Sequence, residues 1–123
     1  MKHLMITILM ITSSFNLFAQ SKHIEQSIPF ENVLTSLKSD SSSLFMNCFS
    51  KRIINGEEDE NVWMSRLNEG KEKFEKRFGQ FQLIDFSYKY EKSESKLIIY
   101  YKNEEQFKMR VVKENGTWKL AQI

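Results

Sequence analysis

Acid–base, nucleophilic and metal chemistry in a small protein falls to histidine, cysteine and carboxylates held on regular elements, and this chain offers few of them. Its two histidines, His3 and His23, stand near the N-terminus, away from every periodic segment. That placement takes most zinc sites and the Ser-His and Cys-His nucleophile pairs out of the folded part. Cys48 is the single cysteine, so an internal disulfide is ruled out. Its setting, Leu44-Phe45-Met46-Asn47-Cys48-Phe49, reads as that of a small buried hydrophobe. The alternative is an exposed thiol that pairs between molecules in an oxidising compartment. Asp85 is the one carboxylate embedded in a strand pattern, and alternation turns it away from Phe86 and Tyr88, toward solvent. A catalytic Asp needs the opposite parity and a desolvated site that raises its pKa. Glu57-Glu58-Asp59-Glu60 lacks the alternating ligands and loop glycine of a calcium site and reads as the acidic start of a helix. Phosphate-binding glycine loops, nucleophile elbows and CxxC pairs are absent from the sequence.

Apolar residues are the other resource. Trp63, Tyr88, Phe107 and Trp118 recur at helical and strand spacing, which is first of all the spacing of a core. Gly70 is the sharper feature, because it interrupts an apolar stripe where a side chain would fill space. Either the helix approaches the sheet closely there, or Gly70 floors a small pocket of the concave, apolar kind that ligands use. Trp63, Gly70, Tyr88, Phe107 and Trp118 are therefore the candidate ligand-binding residues. No catalytic residue, metal ligand or cofactor site is assigned.

Period places these residues on elements. Pro29 suits a first helical turn, and Phe30, Val33, Leu34 and Leu37 follow on one face. Ser39-Asp40-Ser41-Ser42-Ser43 breaks the pattern and offers caps for a short second helix carrying Leu44, Phe45, Cys48 and Phe49. Lys51-Arg52-Ile53-Ile54 reads as a brief strand or a loop, and Asn55-Gly56 as a turn. A long helix follows, with Trp63, Leu67, Gly70, Phe74 and Phe78 as its stripe and Gly79 as its terminator. The period then falls from 3.6 to 2. Ile84, Phe86, Tyr88 and Tyr90 alternate, with a bulge or strand start near Leu83-Ile84. Leu97-Ile98-Ile99-Tyr100-Tyr101 is apolar on both faces, as in a central strand. Asn115-Gly116 marks a type I′ hairpin that sets Phe107, Met109, Val111, Trp118 and Leu120 on one face. For the preceding hairpin, a two-residue loop brings Ile98 and Tyr100 to that face and a three-residue loop brings Leu97, Ile99 and Tyr101.

Length and composition bound the rest. The 123 residues carry 18 Lys+Arg against 16 Asp+Glu, a formal charge of +2, with 41% hydrophobic and 28% charged residues. That is one globular domain, with bases interleaved among acids, which disfavours nucleic acid and anionic membrane as partners. Residues 1–19 read as a secretory signal peptide: Lys2, the apolar run 4–11, then a polar-broken stretch ending at Ala19. A membrane anchor needs about 20 continuous apolar residues, and Ser13, Ser14 and Asn16 interrupt this run. The expected organisation is a signal at 1–19, a short linker at 20–27 and one α+β domain at 28–123, exported to the periplasm or secreted, without a membrane span after cleavage.

Three helices followed by a meander ending in Val111-Val112-Lys113-Glu114-Asn115-Gly116-Thr117-Trp118-Lys119-Leu120 resemble the nuclear transport factor 2-like (cystatin-like) superfamily, in particular its small exported bacterial members. Trp63 in the long helix and Phe78-Gly79 closing it belong to the same resemblance. It implies a cone: N-terminal helices on the concave face of a curved four-stranded antiparallel meander sheet, sometimes with a pocket and often dimeric through the sheet. Members include isomerases, hydrolases, ligand binders and non-catalytic domains, so the fold does not choose among them. The expectation is a non-catalytic exported accessory domain binding a protein, a peptide or a small apolar ligand. A small-molecule isomerase or hydrolase and an interaction or immunity-type protein are the alternatives. Val112, Ala121 and Ile123 add apolar surface to the outer sheet face, where a homodimer or partner contact is expected.

Overall fold

Helix α1 (Ile28–Ser39) begins with Pro29 in its first turn and buries Phe30, Val33, Leu34 and Leu37 along one side. Asp40, at a left-handed φ of 54°, ends it and donates its N–H to the Ser36 carbonyl. The Ser41 hydroxyl then accepts the Leu44 N–H at 3.3 Å, starting α2 (Ser42–Asn47). These elements belong to a computed structural model that describes residues 21–123; the expected signal peptide and its cleavage point lie outside the described residues.

Lys51–Gly56 forms a further helix, α3, and is neither strand nor loop. The cause is tertiary. The Ser50 N–H donates to the Leu120 carbonyl at 2.8 Å, and the Lys51 N–H donates to the Glu114 carboxylate at 3.1 Å. Two N–H groups at this helix start are thereby satisfied from the sheet, while the Ser50 carbonyl accepts from Ile53 and Ile54. A four-residue pattern read alone has no knowledge of those partners. In α4 (Glu60–Phe78) the cap is Asp59, whose carboxylate accepts the Asn61 N–H at 2.9 Å, so Glu57 and Glu58 precede the helix. Gly79, at φ 68°, closes it in a conformation that disfavours any side chain.

Strands β1 (Phe86–Glu91), β2 (Lys96–Tyr101), β3 (Glu104–Glu114) and β4 (Thr117–Leu120) form one antiparallel sheet in the order 1-2-3-4. A 3₁₀ turn at Leu83–Asp85 delays β1, so Ile84 is 69% exposed and does not open the inner face. The Asp85 carboxylate accepts the Gln82 N–H at 3.1 Å in that turn. Asn115 and Gly116 take φ values of 50° and 80°, the two positive angles of a type I′ turn, and pair Lys113 with Trp118 and Val111 with Leu120. The preceding hairpin combines both expected registers. Its loop has two residues, Lys102 and Asn103 at φ 48° and 70°, and pairs Tyr101 with Glu104. A bulge at Gln106 then shifts the ladder, so Ile99 meets Phe107 and Leu97 meets Met109. The inner face is therefore Leu97, Ile99 and Tyr101.

Helices cover that inner face. Phe30 packs edge-on against Phe86 and Tyr88, with ring centroids 5.6 and 6.0 Å apart, and Phe78 contacts Tyr101 at 4.4 Å. Tyr90 of β1 reaches Trp118 of β4, 5.5 Å between centroids, although two strands intervene. In a flat sheet those backbones stand about 14 Å apart, so the outer strands lean toward each other over the core. Segment 20–27, expected as a linker, is tied down over its described part. Ser21 exchanges two 2.7 Å backbone bonds with Tyr88, and Glu25–Ser27 makes a 3₁₀ turn leading into α1. On the far edge, Leu120 donates to the Cys48 carbonyl at 2.8 Å.

Candidate functional site: an apolar cavity at Gly70

Gly70 faces Leu37 across the α1–α4 contact, and a Cβ added there would meet the Leu37 Cδ2 at 3.5 Å, an ordinary contact distance. Close approach of backbones is therefore not what keeps this position free of a side chain. The glycine floors a cavity of about 200 Å³. Phe30, Val33 and Leu37 of α1 form one wall, with Phe45 and Phe49 beside them. Phe74 of α4 and Phe107 and Met109 of β3 form another, and Leu120 and Ile123 complete the lining. Every lining residue is apolar. Five of them are phenylalanines, and Phe74 and Phe107 stack at 5.8 Å.

Of the five candidate residues, the structure brings Gly70 and Phe107 to this cavity and leaves three elsewhere. Trp63 is 1% exposed and lies behind the wall, packed on Phe45 at 5.9 Å and Phe49 at 5.3 Å. Its indole N–H donates to the Glu57 carbonyl at 2.7 Å, fixing the turn before α4. Tyr88, also 1% exposed, supports Phe30, a lining residue, through the edge contact described above. Burial, with Glu31 adding to it, pushes its phenol above the usual tyrosine range. Among the described residues its hydroxyl has no hydrogen-bond partner, and neither has the Trp118 indole N–H. Trp118 packs on Tyr90 with the Lys113 ammonium 5.9 Å from its ring. The remaining lining residues were legible only as a core stripe; Gly70 was the one signal that part of the stripe faces space.

Chemistry in this site is limited by what surrounds it. No titratable side chain lines the cavity. Cys48 is buried, its thiol donates to the Leu44 carbonyl at 3.2 Å, and burial pushes it up to about 12 against the lowering effect of Lys119. A thiol so held stays protonated and is a poor nucleophile. Among the described residues no cluster of three His, Cys, Asp or Glu side chains is placed to hold a metal ion, and no helix is long and apolar enough to cross a membrane.

The opposite face of the sheet presents Tyr100, the outward tyrosine of β2, and Ile98. Ile98 is only 3% exposed, between its cross-strand neighbours Lys89 and Lys108. Long lysine stems lying over an apolar residue with their ammonium groups in water account for that burial. Ile123 lies past the end of β4 and lines the cavity, so strand alternation does not carry it to the outer face. Comparison of the chain with family models, curated proteins and solved structures finds no match.

Proposed function

We propose that the chain is a non-catalytic, exported binding domain that holds a small apolar group in the cavity at Gly70. The observation that carries the reading is a cavity of about 200 Å³ with an entirely apolar lining. A dry apolar cavity of about 150 Å³ is enough to bind benzene, so this one has room for a monocyclic arene or a short acyl chain. Catalysis needs an acid or base within about 3 Å of the reacting atom, and the lining supplies neither, which favours binding over the isomerase or hydrolase alternative. Helices first and a meander last support the resemblance to the nuclear transport factor 2-like superfamily.

Filling the cavity tests this. Gly70→Leu should abolish saturable binding of toluene or indole, followed by amide NMR shifts of the full domain. The same variant should be more stable by about 1–2 kcal/mol, from added apolar burial and the removal of a mid-helix glycine. Undiminished binding by a folded Gly70→Leu protein would remove the cavity from consideration. Export rests on the apolar run and small residue of positions 4–19. Intact mass of the protein recovered from outside the cytoplasm should show a chain beginning at Gln20 or Ser21, whereas full-length chain in the membrane fraction would overturn it.

A further inference from the structure

We infer a second site, independent of the apolar cavity: an oxyanion-binding cleft built by Ser50, Arg52, Ser93, Ser95 and Arg110. These residues line a depression of about 430 Å³ where the start of α3, the turn between β1 and β2, and the middle of β3 converge. Ser50 is the telling member. It is 5% exposed, yet its hydroxyl has no hydrogen-bond partner among the described residues and does not cap α3. Its backbone is fully engaged, the N–H with Leu120 and the carbonyl with Ile53 and Ile54. The sealed polar atoms without a partner among the described residues are the Tyr88 hydroxyl and the Trp118 indole N–H, so the Ser50 oxygen is open to the cleft and free to donate to a group bound there.

The other donors are equally uncommitted. Neither the Arg52 nor the Arg110 guanidinium has an ion-pair, hydrogen-bond or ring partner among the described residues, and the Ser93 and Ser95 hydroxyls have no partner there either. The turn that carries the two serines is fixed over the cleft, because the Val111 N–H donates to the Ser95 carbonyl at 3.0 Å. Two guanidinium forks and three hydroxyls on one depression match a carboxylate or a phosphate, which accept several N–H and O–H bonds at once. Glu94 and Glu114 also border the cleft. The Glu114 carboxylate accepts the Lys51 N–H and keeps its charge, so Glu94 and Glu114 both oppose a bound anion and the two guanidinium forks have to outweigh them. Lys96, the cross-strand neighbour of Arg110, and Lys108 stand on the same sheet face, with Glu91 opposite Lys96 offsetting part of their charge.

The ligand class is a small molecule bearing an oxyanion, either a carboxylate or a phosphate ester. Titration of the full domain with inorganic phosphate and, separately, with acetate should give saturable amide shifts at residues 50–52, 93–95 and 110. Phosphate the tighter of the two identifies a phosphate ester as the natural group, and acetate the tighter identifies a carboxylate. Arg110→Gln should weaken binding by about tenfold or more, and Ser50→Ala by a few-fold. Glu94→Gln, which removes one of the two opposing charges, should tighten it. Gly70→Leu should leave it unchanged, which separates this site from the apolar cavity. Absence of saturable binding of either anion, or affinity unaltered in a folded Arg110→Gln protein, would overturn the inference.

Discussion

Trp63→Ala should cost about 3–5 kcal/mol of stability, the usual range for removing a large buried aromatic. A domain of this size has about 5–15 kcal/mol in total, so the variant is expected to be half unfolded or worse in mild urea. Two losses add. The indole fills the space between Phe45 and Phe49, and its N–H holds the Glu57 carbonyl at 2.7 Å. Trp63→Phe keeps most of the packing and gives up the hydrogen bond, and should cost closer to 1–2 kcal/mol. Urea midpoints of the two variants check the ordering. A nearly silent Trp63→Ala would show that the indole is no part of the core and return it to the list of ligand contacts.

A steep loss of stability above pH 9 is the second large effect. Burial holds the Cys48 thiol up to about 12, against an ordinary 9.0, and pushes the Tyr88 phenol above its ordinary 10.0. In the folded protein both protons stay on; in the unfolded chain they leave at the ordinary values. The stabilisation is therefore complete below pH 9 and falls as pH rises. The slope is about 1.4 kcal/mol per pH unit for Cys48 above its ordinary 9.0, and similar for Tyr88 only above its ordinary 10.0. Thermal melts at pH 8 and pH 11 should differ far less for Cys48→Ala with Tyr88→Phe than for the parent. Near neutral pH, Tyr88→Phe alone should be neutral or mildly stabilising, since the hydroxyl it removes has no partner among the described residues. Equal alkaline sensitivity in parent and double variant would place the titrating groups elsewhere.

What the sequence made legible depended on whether the deciding forces were local. Helices α1 and α4 were readable because their stripes, caps and terminal residues are contiguous, and the last hairpin because Asn115-Gly116 carries its own turn geometry. The register of β2 was not. The bulge at Gln106 answers to packing of Leu97 and Ile99 against the helices, not to the two-residue turn beside it. Helix α3 was missed because its start is held by Leu120 and Glu114, far away in sequence. The same contrast separates the two sites. Gly70 announced the cavity from inside a periodic stripe, whereas Ser50, Arg52, Ser93, Ser95 and Arg110 come from three separate elements and look, one at a time, like solvated polar residues.

The bonds at the two margins of the sheet also bear on behaviour at high concentration. An unpaired margin is a template on which another chain can add a strand, the first step of fibril growth. Here Ser21 occupies both backbone groups of Tyr88, at the middle of β1, and residues 48 and 50 occupy those of Leu120 on β4. A newcomer would have to displace the protein's own backbone before it could pair at the middle of β1 or at Leu120. Strand addition at the centre of β1 or at Leu120 of β4 therefore requires one of these two short clasps to open first.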